Sequence, residues 1–410
     1  MSDAAKKIMQ RINALAKISD EQRQLTRTFA SPAMRRANDT VASWMRDAGM
    51  TTRADAIGNL IGRYEGTSPN AKTLILGSHL DTVRNAGKFD GPLGVILALA
   101  CVEELQRTKC RLPFAIEAVG FCDEEGVRYQ STYLGSRVLA GCFEATDLLR
   151  KDASGVTMAD AIKAFGGAPQ KIPSAKLNPK KVLAYVEVHI EQGPVLEEKN
   201  LAVGVVTTIA GQSRIKLTFT GKAGHAGTTP MSLRQDALCA AAEFILAVER
   251  YGKEMAGLVA TVGQIQNTPN ASNVIPGEVS ISLDVRHQRD AVRRAAVKQF
   301  QAVRNDIEKE RRVKIASQVI QETDSVPCSL AISNLLQSSA LKKQRSAPQL
   351  SSGAGHDAAV MAQITPVGML FVRCKGGVSH HPDESVQTSD VQVALEVMND
   401  FIDSLAKHHG

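Results

Sequence analysis

The chain has 410 residues, of which 43% are hydrophobic and 22% are charged, and its formal net charge is +7. These proportions are typical of a soluble globular protein. The length suggests two domains, or one large domain that carries an insertion. Aromatic residues make up only 4%, which argues against a nucleic-acid surface with stacking aromatics, whereas a mild positive balance suits a small acidic substrate.

The seven cysteines are widely spaced, and none forms a Cys-x-x-Cys pair. An odd count at such spacing argues against a disulfide framework or a cysteine-based zinc site. We therefore expect reduced thiols and a cytoplasmic location. The first residues include Lys6, Lys7 and Arg11 but no apolar segment of the signal-peptide kind. The sequence contains no run of about 18 apolar residues, so we predict no membrane span.

The first half of the chain predicts helices followed by alternating strands and helices. Apolar positions keep a helical spacing through most of residues 3–50, with an interruption at 29–33. Beyond residue 51 we predict strands at 59–64, 73–77, 114–121 and 183–188, and a helix at 94–108. This alternation predicts an α/β domain, in which helices cover a sheet.

The pattern changes after about residue 210. Residues 214–220 alternate between apolar and polar positions, which indicates a half-exposed strand. The segment continues as helix (236–251), strand (258–265), strand (278–286), helix (290–311) and strand (313–320), which is an α+β unit of the split-βαβ kind. Further helices (331–341, 357–363 and 390–407) and a strand (366–373) follow. We therefore predict a catalytic metal-binding domain of residues 1–210 and 323–410, with a lid inserted at 211–322.

The first candidate site follows the strand at residues 73–77. The strand leads into His79 and Asp81, and Asp90 lies in a glycine-bounded turn just beyond. The carboxyl edge of an open α/β sheet is where ligands bind, and a histidine converging with carboxylates suits a divalent metal. Taken alone, the same pattern is also that of a strand-end histidine capping a turn.

Three further clusters occupy the same kind of position, each beside or after an apolar strand. The four clusters are His79/Asp81/Asp90, Glu124/Glu125, His189/Glu191 and His380/His381. Each one alone is compatible with solvated turn residues. Together they provide enough nitrogen and oxygen donors for two metal ions, and the absence of cysteine favours zinc or manganese over iron–sulfur chemistry.

These motifs resemble those of the two-metal aminoacylase/carboxypeptidase peptidase superfamily. The resemblance is carried by His79-x-Asp81, Asp90-Gly, the acidic run at 123–125 and the closing Ser-His at 379–380. Within that superfamily, the sequence His-Ile-Glu-Gln-Gly at 189–193 is similar to the hydantoinase/carbamoylase amidase branch. The match extends from about residue 58 to the end of the chain and includes the motifs at 224–227, 273–276, 284–286 and 353–357.

The resemblance implies a mixed sheet flanked by helices and two divalent metal ions, Mn or Zn, in each subunit. It implies that His79 and His189 hold one ion, that Glu125 and His380 hold the other, and that Asp90 bridges them. Two ions about 3.5–4 Å apart can share and acidify one water molecule.

The remaining catalytic roles are also implied by the resemblance. Asp81 would orient His79, and Glu124 would be the general base that takes a proton from water and passes it to the leaving nitrogen. Two imidazoles are adjacent at 380–381, and His380 is preferred over His381 because it follows Gly-x-Ser in the family register.

The resemblance also implies contacts to a small substrate. Arg286 is similar to the family's carboxylate-binding arginine, a role that suits a planar guanidinium fork; the alternative is a surface ion pair. Gln192, His225, Asn273 and His356 would contact the ureido group and the developing oxyanion. Without the family, ordinary loop and turn positions would explain these four residues.

Within the branch, the segments 130–135, 204–211 and 371–379 are most similar to allantoate amidohydrolases. This implies cleavage of a ureido C–N bond of allantoate, with release of ammonia and carbon dioxide, by a homodimer joined through the lid. An N-carbamoyl-L-amino-acid hydrolase or a β-ureidopropionase is the main alternative. A non-catalytic binding protein on the same scaffold would be expected to lack some ligands or Glu124, and none is missing. We expect neither nucleic acid nor a membrane as a partner.

Overall fold

The structure is a computed structural model that describes residues 2–409. It begins with α1 (Asp3–Leu15), α2 (Pro32–Asp47), β1 (Thr51–Ala54), β2 (Leu60–Tyr64), β3 (Thr73–His79), α3 (Pro92–Arg107), β4 (Ala115–Phe121), α4 (Leu134–Ala140), α5 (Met158–Ala164), β5 (Val182–Ile190), α6 (Val195–Glu198) and β6 (Val203–Ile209). It continues with β7 (Gly211–Thr220), β8 (Gly224–His225), α7 (Ala237–Glu254), β9 (Val259–Thr268), β10 (Val274–Ile275), β11 (Glu278–His287), α8 (Asp290–Arg311), β12 (Lys314–Thr323) and β13 (Val326–Pro327). It ends with α9 (Leu330–Leu341), β14 (Gln349–Ser352), α10 (Asp357–Met361), β15 (Val367–Val372) and α11 (Thr388–His409).

The chain divides into two compact units. The first unit comprises Met1–Thr207, Cys328–Leu350 and Gly355–Gly410, and the second comprises Thr208–Pro327 and Ser351–Ala354. The predicted mixed sheet flanked by helices is confirmed as the fold class. The assignment of residues 1–210 and 323–410 as a catalytic domain, and of 211–322 as a lid, stays a prediction.

The sheet of the first unit has the strand order β1-β2-β4-β3-β5-β15-β6. Strands β4, β3, β5 and β15 run parallel to their neighbours in this series, whereas β2 and β6 pair antiparallel with β4 and β15. Strands β3 and β4 are buried along their whole lengths, as expected for parallel strands covered on both faces. The carboxyl ends of the parallel strands therefore meet at one edge of the sheet.

Local signals in the sequence explain where the main helices begin. The hydroxyl of Ser31 accepts a hydrogen bond from the amide of Met34, and Pro32 occupies the first turn of α2. Both features favour a helix start, because the cap satisfies an unpaired amide and proline lacks one. Helix α3 is buried on nearly all sides, which explains its continuous apolar sequence.

The second unit is built on the antiparallel sheet β12-β7-β11-β9. Strands β7 and β11 alternate between buried and more exposed positions, so one sheet face forms a core with α7 and α8. Phe219, Phe244 and Phe300 stack edge to face in this core. Strands β8 and β10 form a separate two-stranded pair. Among the helices of residues 2–409, none combines the length and apolar composition that a membrane crossing requires.

Candidate metal centre

The parallel strands bring distant donor residues to one sheet edge. His79 is the last residue of β3 and His189 lies near the end of β5, and both imidazoles are almost fully buried. Glu124 and Glu125 follow β4 by a few residues. Asp90 lies just before α3, where the positive end of the helix dipole favours a carboxylate.

Asp90 occupies the centre of the cluster, and its two oxygens face different histidines. Oδ1 lies 3.0 Å from His189 Nε2 and 3.5 Å from His79 Nε2. Oδ2 lies 3.2 Å from His380 Nε2, which is itself 3.4 Å from Glu125 Oε1. The donors therefore form two sets that share one carboxylate: His79, His189 and Asp90, and Asp90, Glu125 and His380.

The backbone around the histidines fixes which ring nitrogen is available. His79 Nδ1 lies 3.0 Å from the carbonyl oxygen of Asp81, and His189 Nδ1 lies 3.0 Å from that of Ile190. A carbonyl can only accept, so in each neutral ring the proton sits on Nδ1 and the lone pair on Nε2. Both Nε2 lone pairs then face the Asp90 carboxylate, which is also an acceptor, so the contact is unfavourable. A cation between these acceptors would make the contact favourable.

The donor spacing also fits metal coordination. Two ligand atoms at about 2.0–2.2 Å from one tetrahedral Zn²⁺ lie roughly 3.3–3.6 Å apart. The Nε2–oxygen distances around Asp90 and Glu125 range from 3.0 to 3.5 Å. The residues present therefore fit divalent cations bound by imidazole and carboxylate.

Unpaired carboxylates nearby point to the same conclusion. Both side-chain oxygens of Asp123 are buried without a hydrogen-bond partner. Burial, reinforced by the charge of Asp90, raises the pKa of Glu125 to about 7. Burial and then the charge of Glu125 raise the pKa of Glu124 well above its usual range. Such crowding of acidic groups is costly unless positive charge compensates it.

Asp81 organises this acidic turn. Its Oδ1 accepts a hydrogen bond from the amide of Glu124 at 3.0 Å, and its Oδ2 accepts one from the amide of Glu125 at 3.2 Å. Asp81 Oδ1 also lies 3.4 Å from His79 Nδ1. The Asp81 carboxylate thus connects the turn after β3 to the turn after β4, a link that the sequence did not indicate.

Two features of the backbone bring these groups close together. Gly91 has φ +81°, and a Cβ atom placed there would lie 2.5 Å from the His79 ring, so only glycine fits. Tyr133, Gln192 and His380 all have positive φ although they are not glycines. Non-glycine residues in this region are strained and tend to cluster at functional sites.

Gln192 and Ser379 both donate hydrogen bonds to the Asp90 carboxylate. Gln192 Nε2 lies 3.1 Å from Asp90 Oδ2, and Ser379 Oγ lies 2.7 Å from the same oxygen. Gln192 also donates to Ser379 Oγ at 3.1 Å. In this structure the predicted substrate residue Gln192 therefore contacts the second donor set directly.

His356 lies deeper. Its imidazole is 2% exposed and packs against the His189 ring with centroids 4.5 Å apart, and against Phe371. Burial, followed by the charge of His189, lowers the pKa of His356 well below its usual range, so the ring is neutral at pH 7. Glu187 joins His189 and His356 in a third group of close donors, which sequence analysis missed.

Glu187 and Asp357 form a buried layer beneath the histidines. Glu187 accepts hydrogen bonds from Ser78 Oγ at 2.7 Å and from the amide of Ala358 at 3.1 Å. Asp357 accepts one from Ser136 Oγ at 2.5 Å. A glutamate inside the apolar run of β5 was the available sequence signal for this layer.

Two residues from the predicted clusters lie outside the cluster around Asp90. Glu191 accepts hydrogen bonds from the amides of Val195 and Leu196 and so caps the short helix α6. His381 is exposed and contacts Asp383. The structure therefore brings His380, and not His381, against Asp90 and Glu125.

The other predicted substrate residues belong to the second unit. His225 pairs with Val274 in the β8–β10 ladder, and the backbone carbonyl of Asn273 accepts a hydrogen bond from the amide of Ala226. Arg286 forms a two-bond ion pair with Asp284, with both distances 2.9 Å, and donates to the carbonyl of Gly353 at 2.5 Å. Burial raises the pKa of Asp284, but Arg286, Arg214 and Gln212 together lower it below its usual value.

Comparison with known proteins shows which family the chain is similar to. The model of the peptidase family M20/M25/M40 matches residues 75–404. A probable allantoate deiminase from Oryza sativa subsp. japonica is 43% identical over 97% of this chain and 87% of its own. An N-carbamoyl-L-amino acid amidohydrolase from Geobacillus stearothermophilus is also 43% identical, over 93% of this chain and 94% of its own. The crystal structure of a hydantoinase/carbamoylase family amidase from Burkholderia multivorans superposes with a TM-score of 0.93 at 32% identity, covering 98% of both chains.

Proposed function

The chain belongs to the peptidase family M20/M25/M40, and on this basis we propose that it is a metal-dependent amidohydrolase of small ureido carboxylates. The scissile bond is a ureido C–N bond, and the first candidate substrate is allantoate, with release of ammonia and carbon dioxide. The relative from rice carries that substrate in its name, and relatives from soybean and Arabidopsis do so too.

One observation carries the proposal. The two oxygens of Asp90 face two different donor sets, as a carboxylate shared by two ions would. His79 and His189 are the proposed ligands of one ion, Glu125 and His380 are those of the other, and all four lie in the first unit. Histidine and carboxylate donors suit zinc or manganese. When bound, such ions polarise a carbonyl and lower the pKa of water.

Glu124 is the proposed general base. It lies in one donor group with His79 and Glu125, which places a carboxylate beside the proposed ligands, where it can accept a proton from water. The same carboxyl group then returns the proton to the leaving nitrogen. Asp81 supports this role because it holds the amides of Glu124 and Glu125 in place.

The substrate contacts remain part of the proposal. Arg286 is assigned to the substrate carboxylate, and Gln192, His225, Asn273 and His356 to the ureido group and the developing oxyanion. Neutral His356 is a suitable donor or acceptor, and Gln192 Oε1 is buried without a partner. The ion pair of Arg286 with Asp284 leaves Nη1 bound to a carbonyl, a bond that a substrate carboxylate would replace.

The choice of substrate is tested by direct assay. The metal-loaded protein is given allantoate, N-carbamoyl-β-alanine and a series of N-carbamoyl-L-amino acids, and ammonia release is followed. Turnover of allantoate at a kcat/KM at least about tenfold above the others supports the proposal. Preference for an N-carbamoyl-L-amino acid would favour the second candidate, which the 43% identity to the Geobacillus enzyme supports. The absence of turnover on all of them would contradict the ureido assignment.

The proposal extends to a homodimer joined through the second unit. The outer strands of its sheet, β9 and β12, carry exposed apolar side chains: Val259, Ile265, Val319 and Ile320. Such edges favour pairing with another chain. Light scattering at micromolar concentration should give twice the monomer mass of 44.0 kDa, and a stable monomer would contradict this part.

A cytoplasmic location is also proposed, because the seven cysteines are all free in this structure.

A further inference from the structure

A cavity lies at the edge of the first unit's sheet opposite the donor residues. Its volume is about 630 Å³, and its lining includes Thr73 and Val182, the first residues of β3 and β5. The donor residues of the metal centre lie at the other ends of these strands. Six residue steps separate Thr73 from His79, which at about 3.3 Å per residue places the two sites roughly 20 Å apart. The proposed metal chemistry does not use this cavity.

The lining of the cavity is strongly cationic. Five basic side chains face two carboxylates across it: Arg53, Arg63, Lys171, Lys176 and Lys181 against Asp55 and Glu117. Both carboxylates are already engaged. Asp55 accepts hydrogen bonds from the amides of residues 57–59 and from Asn59 Nδ2, and Glu117 pairs with Arg53 and Arg63. The cavity therefore carries an excess of positive charge, which attracts anions.

Glu117 holds two guanidinium groups in position. It is 7% exposed, and its Oε1 lies 3.5 Å from Arg53 Nη2 and 3.4 Å from Arg63 Nη1. Arg63 also donates to Thr73 Oγ1 at 3.0 Å and pairs with Glu65. With Glu65 counted, two carboxylates balance the charges of the two guanidiniums. Each guanidinium has five N–H donors, so unused hydrogen-bond donors remain at the cavity wall.

The three lysines are not engaged at all. Lys171, Lys176 and Lys181 are exposed at the cavity, and within residues 2–409 none of their ammonium groups forms an ion pair or a hydrogen bond. An anion in the cavity would therefore meet uncommitted positive charge.

Aliphatic side chains form another part of the wall. Ile61, Ile75, Leu139, Leu177 and Val182 line the same space. A volume of about 630 Å³ lies within the usual range for small-molecule sites, and it is far larger than one phosphate ion requires. The lining thus combines a cationic side with an apolar side.

We propose that this cavity is a binding site for a small polyanion that carries an apolar portion, the chemistry of a nucleoside diphosphate or triphosphate. The phosphate groups contact the two arginines and the three lysines, and the apolar portion packs against the aliphatic wall. The inference is independent of the proposed ureido hydrolysis.

The test uses ADP, pyrophosphate and adenosine as probes in calorimetric titrations of the full-length, metal-loaded protein. ADP should bind at submillimolar concentration, with an affinity that falls as ionic strength rises. Pyrophosphate should bind at least about fivefold more weakly, and adenosine should not bind over the same range. Equal affinities of ADP and adenosine, or no binding of ADP at about 1 mM, would overturn the proposal.

Matched triple variants locate the site. Lys171→Gln/Lys176→Gln/Lys181→Gln removes three charges from the cavity, and ADP affinity should fall at least about tenfold. The control, Lys298→Gln/Lys309→Gln/Lys314→Gln, removes three exposed and unpaired lysines of the second unit, and ADP affinity should stay within about twofold. All six side chains are exposed, so the variants should keep the wild-type melting temperature. Unchanged ADP affinity in the first variant would place the ligand elsewhere, including at the metal centre, and would contradict the inference.

Discussion

Glu384 accepts hydrogen bonds from the backbone amides of Phe89 and Asp90, although its sequence position is 294 residues beyond Asp90. Its Oε1 accepts from the amide of Phe89 at 2.6 Å and from that of Asp90 at 3.1 Å. Glu384 is 3% exposed, and it follows His380 by four residues. One side chain thus connects the loop of Asp90 to the loop of His380, a proposed metal ligand, as groups behind metal ligands commonly do.

The first prediction concerns this connection. Glu384→Ala should weaken metal binding at the set formed by Asp90, Glu125 and His380 by roughly 10–100-fold, because the two loops lose their link. Glu384→Gln should bind metal nearly as well as the wild type, because its amide oxygen can accept the same two hydrogen bonds. Metal content after dialysis against limiting metal, and the absorption spectrum of the cobalt-substituted protein, measure the difference.

The comparison between these two variants separates positioning from charge. If Glu384→Gln loses as much metal as Glu384→Ala, the carboxylate acts through its charge and not through its hydrogen bonds. If neither variant loses metal, Glu384 has no role in holding Asp90.

The second prediction uses two glycines with the same backbone conformation. Gly91 and Gly155 both have φ +81°, but an alanine Cβ at Gly91 would lie 2.5 Å from the His79 ring, whereas Gly155 has nothing within 4 Å. Gly155→Ala should cost only the backbone term, about 1–2 kcal/mol. Gly91→Ala should cost more than that and should also displace His79, with loss of metal.

Urea unfolding gives the stability of both variants, and metal titration gives their affinity. Equal destabilisation of the two variants, with metal affinity unchanged, would show that the close contact between Gly91 and His79 contributes neither to stability nor to metal binding.

The third prediction concerns the adjacent histidines. His380 Nε2 lies 3.2 Å from Asp90, whereas His381 is exposed and contacts Asp383. His380→Ala should therefore lose most activity and about one metal ion per subunit, since each ligand typically contributes strongly to affinity. His381→Ala serves as the matched control and should retain both. The opposite result would reassign the ligand to His381.

The sequence predicted the main elements because each carries a local signal. The apolar run of β3 and the amphipathic helix α8 both have such signals, and the predicted bounds of α8, 290–311, agree with the structure. Short elements such as β8 and β10 were not predicted, because two residues carry no periodicity.

The candidate site was predicted only in its innermost layer. His79, Asp90 and Glu125 fall within candidate clusters that follow apolar strands, and the family resemblance implied their roles as ligands. Glu384 and Glu187 were missed because their importance arises from hydrogen bonds to residues at least 100 positions away, to Asp90 and Ser78. The glutamate inside the apolar run of β5 was a local signal for Glu187, but nothing local indicated its partner, because such contacts depend on the register of the folded sheet.

The fourth prediction concerns the general base. Glu124→Gln should retain both metal ions, because Glu124 is not among the proposed ligands, and should lower kcat by roughly 10²–10⁴-fold, because an amide cannot accept and return a proton. The measurements are metal content and kcat on the preferred ureido substrate. Asp383→Asn is the control. Asp383 is an exposed acidic residue that contacts His381, and its substitution should leave kcat unchanged. Activity of Glu124→Gln within about threefold of the wild type would exclude this role.

The last prediction concerns Arg286, for which the structure sharpens two alternatives. Its guanidinium already makes two bonds to Asp284, which fits a surface ion pair worth at most about 1 kcal/mol. The same ion pair would also fix the orientation of the fork, with Nη1 left to exchange the Gly353 carbonyl for a substrate carboxylate. In the second case Arg286→Lys should impair both kcat and KM, because lysine cannot reproduce two parallel hydrogen bonds.

A pair of substrates distinguishes the alternatives. The kcat/KM of Arg286→Lys is measured on a carboxylate-bearing ureido substrate and on its amide. Carboxylate binding requires a loss on the acid that exceeds the loss on the amide by about 10²-fold, since misplacement of the scissile carbon adds to the lost contact. Arg214→Lys, which changes the other arginine on Asp284, is the matched control and should not discriminate between the two substrates. Equal losses on acid and amide in Arg286→Lys would leave only the ion pair, because a residue that serves the fold alone affects both substrates alike.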